Sequence, residues 1–206
     1  KGTYPVETDR GELNFHICNR QTLKFANDFK TFEPNTLRWI EQLPSDAVLW
    51  DIGANVGMFS LYAALNPNVC VVAFEPSAPT YHTLIRNIHL NNLESRVSAF
   101  CMALGDHTRC NILSLSNLEE GGYNHTLRFA APTLGDEIER NYEQPVLEMS
   151  IDNFVQTFSP PLPTHIKLDV DSNENEIIAG AEKLLTGNTV LSVLVEMIGD
   201  LDNPRN

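Results

Sequence analysis

Three short and mainly apolar runs, each followed by an acidic residue, dominate the pattern of this chain. The runs cover residues 48–50, 69–74 and 164–168, and the acids that follow them are Asp51, Glu75 and Asp169. Apolar runs of this length are typical of parallel strands that are buried on both faces. Segments with helical spacing separate the runs, so the pattern predicts an α/β protein with a doubly wound, mostly parallel sheet.

Apolar residues at helical spacing predict the helices that connect these strands. The first helix carries Phe59, Leu61, Tyr62 and Leu65, the second runs over residues 79–92 with Leu84, Ile85 and Ile88 inward, and the third has Ile177, Ile178, Ala181, Leu184 and Leu185 inward. Residues 97–104 are expected to form a third strand that Gly105 ends. Strand-like pieces at 110–115 and 146–149 flank a polar stretch, residues 116–144, which we expect to be an acceptor-side loop.

The N-terminal part of the chain has a different pattern. Residues 1–30 are predicted to be an extension, and residues 31–206 to be the main domain. Alternation within residues 11–29 predicts a short hairpin. A packing helix is expected to follow, with Asn35 or Thr36 as its N-cap and with three apolar residues at helical spacing, Leu37, Ile40 and Leu43.

A turn with two glycines follows the first apolar run, in the segment Asp51-Ile52-Gly53-Ala54-Asn55-Val56-Gly57. Gly53 and Gly57 have no Cβ, so a ligand can approach the backbone here, and Asn55 tolerates left-handed angles. A dinucleotide fingerprint needs glycine at relative positions one, three and six, but Asn55 and Met58 occupy the last two. The spacing therefore argues against a dinucleotide, and the acid beside the turn suits a positively charged ligand.

The second acid, Glu75, ends the next apolar run and is followed by Pro76. Pro76 ends the strand because proline has no backbone N–H to donate. An acid at the end of the second strand of a βαβ unit can accept hydrogen bonds from both ribose hydroxyls. Glu75 therefore predicts a ligand that contains a nucleoside.

The third run ends in Asp169-Val170-Asp171. In a doubly wound sheet this strand lies beside the first, and ligands bind at the switch point between them, so Asp169 is expected to face the same crevice as Asp51. Asp171 is either a ligand-side acid or a member of a helix capping box with Glu174. Lys167 is expected either to pair with a buried acid or to extend to solvent.

The charge of the chain restricts its partners. The net charge is −13, and the 14 lysines and arginines form no cluster, whereas a nucleic-acid binder needs a basic track. We therefore expect no nucleic-acid partner, no anionic membrane surface, and a small-molecule or carbohydrate acceptor. No window approaches the roughly 18 consecutive apolar residues of a membrane span.

The four cysteines and the first residues of the chain indicate the cellular compartment in which the protein is expected. Cys18, Cys70, Cys101 and Cys110 lack metal-ligand spacing and are expected to be reduced core thiols. The first residues do not have the pattern of a signal peptide. Together these features predict a cytoplasmic protein, while a preceding targeting segment stays an open alternative.

Several motifs in combination resemble the FkbM-type methyltransferases. They are the Asp51–Gly57 turn, Phe74-Glu75-Pro76, Ala103-Leu104-Gly105-Asp106, Ile151-Asp152 and Ile166–Asp171, preceded by Phe32-Glu33-Pro34, over roughly residues 30–197. The resemblance implies a class I, Rossmann-like fold, S-adenosylmethionine as methyl donor, and usually O-methylation of sugars or natural products. Two departures stand out. The family usually has Glu-Gly where this chain has Asp171-Ser172, and the terminal antiparallel hairpin of class I sheets is expected to be absent from this chain.

The resemblance and the motifs together imply a set of site residues and no metal site. The expected cofactor-binding residues are Asp51, Gly53, Asn55, Gly57, Met58, Phe59, Glu75, Pro76, Ala103 and Leu104. The last two are expected to form a wall for the adenine ring. Asp169 and Asp171 are the candidate catalytic residues. A hydroxyl acceptor would need a general base, for which Asp169, Asp171 and His165 stay open.

Two other functions compete with methyl transfer. Asp169 and Asp171 form an Asp-x-Asp pattern, with which a glycosyltransferase could hold a divalent metal and a nucleotide sugar. That interpretation leaves the glycine turn and Glu75 unexplained. The second alternative is a non-catalytic module that uses the methyltransferase fold for protein contact.

Overall fold

The computed structural model describes residues 2–123, 125–128, 142–171 and 173–196. In chain order, the elements of this part are β1 (Gly2–Thr8), β2 (Gly11–Ile17), α1 (Arg20–Asn27), α2 (Phe29–Phe32), α3 (Pro34–Glu41), β3 (Val48–Ile52), α4 (Met58–Ala64), β4 (Cys70–Phe74), α5 (Ala78–Leu90), β5 (Val97–Phe100), β6 (Ala103–Gly105), β7 (Arg109–Leu115), β8 (Thr126–Leu127), β9 (Tyr142–Ser150), α6 (Ile151–Phe158), β10 (His165–Leu168), α7 (Glu174–Ala179), α8 (Glu182–Thr186) and β11 (Ser192–Val195). None of the helices in these ranges has the length and apolar character that a membrane crossing requires.

A five-stranded parallel sheet forms the centre of the fold, in the spatial order β11-β10-β3-β4-β5. β3 lies between β10 and β4, so Asp51 is in register with Lys167 on one side and with Ala73 on the other. Because the strands are parallel, their carboxyl ends meet at one edge, where Glu75 and Asp169 follow β4 and β10. The prediction of a doubly wound parallel sheet is confirmed.

Both faces of this sheet are covered, which explains why its strands are almost continuously apolar. Leu49 belongs to a core shared with α3, α4, α5 and the N-terminal elements. Trp50, the next residue, points to the opposite face and packs edge-on against Phe154 of α6, with ring centroids 5.8 Å apart. Alternate residues of one strand therefore serve two separate cores.

A second, four-stranded sheet has the order β6-β9-β7-β8. β6 is parallel to β9, whereas β7 is antiparallel to both β9 and β8. The prediction of one strand over residues 97–104 is wrong, because the chain leaves the parallel sheet after Phe100 and Ala103–Gly105 pairs with β9. The bare Cα of Gly105 permits this change of sheet, since a Cβ there would lie 2.2 Å from the Glu148 carboxylate.

The N-terminal hairpin exists, but its predicted position is wrong. β2 pairs antiparallel with the preceding β1, and residues 20–27 form helix α1 instead of a second strand. A capping box between Asn19 and Thr22 begins this helix, and Phe25 faces the core. The hairpin contributes Phe15 to the same core as the parallel sheet, while a domain boundary after residue 30 stays a prediction.

Two residues predicted to face the core are exposed, and one predicted helix cap is misplaced. Ile85 and Ile178 are 40% and 41% exposed, because each lies beside a residue that already occupies the inward face. Helix α3 begins at Pro34 with Glu33 in the N-cap position, so the prediction of Asn35 or Thr36 as the cap is wrong. These errors displace single side chains and leave the order of elements unchanged.

The expectation of buried thiols is also wrong. Cys101 and Cys110 are exposed and Cys18 and Cys70 are half-buried, although all four are unpaired by disulfides. Cys101 follows the end of β5, where the chain leaves the parallel sheet. The expectations for Ser172, for the C-terminal residues 197–206 and for the middle of the predicted acceptor-side loop lie outside the described residues.

Candidate active site

A cavity of about 410 Å³ opens at the carboxyl ends of β3, β4 and β10. Its floor consists of residues that end or follow these strands. Helix α1 and Glu33 line it from the N-terminal side, and the four-stranded sheet lines it through residues such as Leu113 and Leu127. Two sheets and the N-terminal helices therefore enclose one space.

The glycine turn has the backbone angles that its sequence predicts. Gly53, Asn55 and Gly57 have φ values of 83°, 50° and 91°. The space beside the two glycines is filled by protein, because a Cβ on Gly53 would lie 1.7 Å from the Asp169 carbonyl oxygen and one on Gly57 would lie 2.5 Å from Leu84 Cδ1. The expectation that the glycines make room for a ligand therefore needs correction, since close packing within the fold also requires them.

Glu75 lies at the end of β4 and lines the cavity. Its two carboxyl oxygens accept hydrogen bonds from the backbone N–H groups of Asn55, at 3.0 Å, and of Ser77, at 2.8 Å. Burial raises the pKa of this carboxyl to about 8, although the two N–H groups act in the opposite direction. In its ionised form each oxygen retains a further lone pair, so the group can accept hydrogen bonds from ribose hydroxyls while the backbone holds it in place.

Asp51 lies beneath the cavity and does not line it. Its side chain is completely buried, and Oδ2 accepts a hydrogen bond from Ser60 Oγ at 2.5 Å. Lys167 Nζ lies 3.9 Å from the other Asp51 oxygen and donates to Asp169 Oδ2 at 2.5 Å. Lys167 is thus a buried partner of two acids and does not extend to solvent.

Three carboxyl groups, from Glu33, Asp169 and Glu196, approach within 4.8 Å of one another at the cavity wall. The hydrogen bond with Asp169, together with burial, raises the pKa of Glu196 to about 8. Burial raises the pKa of Glu33 as well. At Asp169 burial acts to raise the pKa, but the Lys167 charge and the hydrogen bonds with Glu196 and Lys167 together lower it. Of the three groups, Asp169 is therefore the one whose ionised form is favoured, and its negative charge suits a ligand with positive charge.

The cavity has an apolar side near Glu75. Ala103 and Leu104 of β6 are buried and line it, together with Phe74 and Met102. This wall lies next to the Glu75 carboxyl group, which follows β4. The arrangement suits a nucleoside, because its ribose can bind the acid while its base packs on the apolar side chains. All the predicted site residues line the cavity except Asp51 and Gly57.

Asp171 has a different partner from the predicted capping box. Its Oδ2 accepts a hydrogen bond from the backbone N–H of His125 at 2.7 Å. Helix α7 has Asn173 in the N-cap position with no side-chain cap, so the capping-box interpretation is wrong. His165 lies at the start of β10, away from the cavity, and bonds the Thr164 hydroxyl. His125, Glu33 and Glu196 line the cavity, but nothing in the local sequence around His125 or Glu196 indicated this.

The family model for the methyltransferase FkbM domain matches residues 51–202 of this chain. The chain belongs to the FkbM methyltransferase family. S-Adenosylmethionine is therefore the methyl donor of this domain, and the resemblance seen in the motifs is confirmed. This assignment favours methyl transfer over the glycosyltransferase interpretation.

Several curated relatives of this FkbM domain are named as methyltransferases. Methyltransferase sdnD of Sordaria araneosa is 35% identical over 95 residues, which cover 46% of this chain and 35% of that protein. The hexuronic acid methyltransferase AglP of Haloferax volcanii is 26% identical over 163 residues, which cover 79% of this chain and 61% of that protein. The matched regions thus span less than two thirds of these relatives.

A solved structure supports the class I fold. The S-adenosylmethionine-dependent methyltransferase from Agrobacterium tumefaciens has a TM-score of 0.50 and 12% identity, over 96% of this chain and 54% of that one. At this identity the likeness concerns the fold alone. The parallel sheet of this FkbM domain and its cavity at the carboxyl edge agree with that architecture.

The cavity fits S-adenosylmethionine in its chemistry. Glu75 supplies a backbone-fixed carboxylate for the ribose, and Leu104 belongs to an apolar wall suited to the adenine. The acids near Asp169 suit the sulfonium and ammonium charges. Each of the three parts of the donor thus has matching residues.

Proposed function

We propose that this FkbM domain transfers a methyl group from S-adenosylmethionine to an oxygen atom of a small-molecule or carbohydrate acceptor. The observation that carries the proposal is Glu75, a cavity-lining carboxylate at the end of β4 that two backbone N–H groups hold. Its place beside the apolar wall and opposite the acidic wall supports a donor that joins a nucleoside to a cationic centre.

The roles of the donor-side residues follow from their positions. Glu75 binds the ribose hydroxyls, the backbone of Gly53–Val56 borders the amino-acid part, and Ala103 and Leu104 pack against the adenine. S-Adenosylmethionine supplies a methyl group that is already activated by its sulfonium. The protein then contributes mainly by holding the acceptor oxygen in line with that methyl group and by excluding water.

The two candidate catalytic acids take supporting positions in this proposal. Asp169 accepts a hydrogen bond from Lys167, which holds its carboxylate in place at the cavity wall. Asp171 bonds the backbone of His125, so it connects the end of β10 to the four-stranded sheet. Both acids therefore position other groups at the cavity.

A carbohydrate acceptor has support from charge and from one relative. AglP acts on a hexuronic acid, according to its name, and covers most of this chain. Two lysines, Lys24 and Lys167, line the otherwise acidic cavity, and Lys24 is exposed at its rim. An exposed ammonium suits the carboxylate of a uronic acid, whereas the net charge of −13 disfavours nucleic acid.

Calorimetry with S-adenosylhomocysteine tests the donor site. Wild-type protein is expected to bind it, Glu75→Ala to abolish the signal, and Glu75→Gln to weaken binding about 10-fold, because the amide nitrogen of glutamine cannot accept a hydrogen bond. Glu7→Gln, an exposed position on β1, is the matched control and should bind as wild type does.

Three outcomes would contradict the proposal. Unchanged affinity in Glu75→Ala would remove the ribose role of Glu75. Absence of heat with S-adenosylhomocysteine in the wild type would remove the donor site altogether. Heat with manganese and a nucleotide sugar in its place would favour sugar transfer.

A further inference from the structure

The cavity contains one histidine. The chain has six histidines, the structure describes all of them, and among these only His125 lines the cavity. It directly precedes β8, whose two residues pair antiparallel with β7. His125 is therefore positioned at the cavity by the four-stranded sheet.

His125 is held through its backbone N–H and lies close to Gly122 through its ring. Its N–H donates to Asp171 Oδ2 at 2.7 Å, which connects it to the end of β10. Its ring lies close to Gly122, where a Cβ would be 3.0 Å from Nε2. The Gly122 carbonyl in turn accepts a hydrogen bond from Asn55 Nδ2 at 3.2 Å. The histidine is thus connected to both the Asp169–Asp171 segment and the glycine turn.

The ring of His125 has no hydrogen-bond partner among the described residues. Within the described residues neither Nδ1 nor Nε2 is bonded, although both atoms are buried. Leaving a buried polar group unpaired costs about 1–3 kcal/mol, so a partner from the cavity is expected when the site is filled. Burial lowers the pKa of the ring to about 4, which keeps the imidazole neutral at neutral pH with one bare nitrogen.

The other candidate bases at the cavity are engaged. Asp169 accepts a hydrogen bond from Lys167, Asp171 from the His125 backbone, and Glu33 from the Thr36 hydroxyl. The titratable groups that line the cavity with His125 are Lys24, Glu33, Glu75, Tyr123, Lys167, Asp169, Asp171 and Glu196. His125 differs from the engaged acids in having its side-chain nitrogens unpaired.

We infer that His125 accepts the proton of an acceptor hydroxyl during methyl transfer, an inference that rests on the proposed function. The acceptor oxygen forms a bond to the methyl carbon, and the carbon–sulfur bond breaks with its electron pair remaining on sulfur. The hydroxyl proton moves to the bare ring nitrogen, and the resulting imidazolium returns it to solvent. His125 therefore selects acceptors with a neutral hydroxyl group.

Rate measurements over a range of pH test this role. The probes are methyl glucopyranoside and methyl glucopyranosiduronic acid, with S-adenosylmethionine carrying a tritiated methyl group. His125→Ala and His125→Gln are expected to lower kcat about 100- to 10,000-fold. The residual rate should rise about tenfold per pH unit, because without the base only the ionised hydroxyl reacts. Added imidazole should restore part of the rate in His125→Ala.

Binding and spectroscopy separate this inference from the donor assignment. Both variants should bind S-adenosylhomocysteine within about threefold of the wild type, because His125 lies on the acceptor side. His82→Ala, an exposed position on α5, is the matched control for all measurements. Nitrogen-15 spectra of the histidine rings in the complex with S-adenosylhomocysteine should report a neutral His125 at neutral pH.

Several results would overturn the inference. They are an unchanged kcat in both variants, a lower kcat with the pH profile of the wild type and no imidazole rescue, or an His125 ring that is charged at neutral pH. A tenfold or greater loss of S-adenosylhomocysteine affinity would place His125 in the donor site and also overturn it. Failure of wild-type protein to bind S-adenosylhomocysteine would instead refute the proposed function.

Discussion

The two sheets that meet at the cavity are built differently. The parallel sheet has both faces covered and carries the donor-side groups at strand ends, where backbone register places them. The four-stranded sheet contributes His125 beside β8, a strand of two residues. The comparison teaches that most of the proposed donor-side residues lie at strand ends of the central sheet, whereas His125, the proposed acceptor-side base, depends on a short strand of the second sheet. We therefore expect substitutions in the parallel sheet to have the larger effects.

The largest expected effect comes from Gly53→Ala. A Cβ there would lie 1.7 Å from the Asp169 carbonyl oxygen, and the residue has φ +83°. Two backbone segments cannot separate without breaking the β3–β10 pairing, so we expect a loss of at least about 4–5 kcal/mol of stability. Thermal unfolding measures it.

Two further glycine substitutions serve as controls for the stability loss expected in Gly53→Ala. Gly105→Ala in the four-stranded sheet meets only the Glu148 side chain, at 2.2 Å, so it should cost about 1–3 kcal/mol through disturbed hydrogen bonds. Gly11→Ala, with φ +126° and no atom within 4 Å of the new Cβ, measures backbone strain alone. A smaller effect at Gly53 than at Gly105 would contradict the ranking of the two sheets.

The next largest loss of stability is expected when the positively charged residue that pairs with buried acids in each sheet is removed. Lys167→Met leaves Asp51 and Asp169 without their buried partner and should lower the free energy of unfolding by about 3–5 kcal/mol near neutral pH. Arg109→Met in the four-stranded sheet removes a half-buried partner of Glu148 and should cost less. Urea unfolding of both variants gives the comparison, which equal losses would refute.

Glu75 predicts a pH dependence of stability. Its pKa rises from 4.5 to about 8 on folding, so the folded protein keeps a proton that the unfolded chain loses. The free energy of unfolding should therefore fall as pH rises from about 4.5 to about 8. The thermal midpoint should fall by about 2–4 °C for each kcal/mol of this free energy that is lost. Glu75→Gln should reduce this slope. A midpoint that rises over this range would contradict the prediction.

The smallest expected effect tests the acceptor side. Lys24→Ala should raise KM for methyl glucopyranosiduronic acid about threefold and leave kcat unchanged, because an exposed ion pair contributes little. KM for neutral methyl glucopyranoside should not change. Lys30→Ala, an exposed lysine of α2 away from the cavity, is the control. An equal effect on both acceptors would remove the proposed carboxylate contact.

The sequence predicted the parallel sheet better than the four-stranded one. Apolar runs ending in acids gave the order and ends of β3, β4 and β10 correctly, because burial on both faces leaves a strong pattern. The predicted strand over residues 97–104 proved to be two strands in different sheets. Side-chain alternation carries no information about which partner a strand will find, so such a change escapes detection.

The sequence by itself determined the family and the donor and predicted most of the residues that line the cavity floor, since the glycine turn, Glu75 and Asp169 are each local motifs at strand ends. Only the tertiary structure decided that Asp51 lies beneath the cavity with Lys167, that Asp171 bonds the His125 backbone, and that His125 lines the cavity. These contacts join residues far apart in the chain. Their positions follow from packing between sheets, which no local pattern of residues encodes.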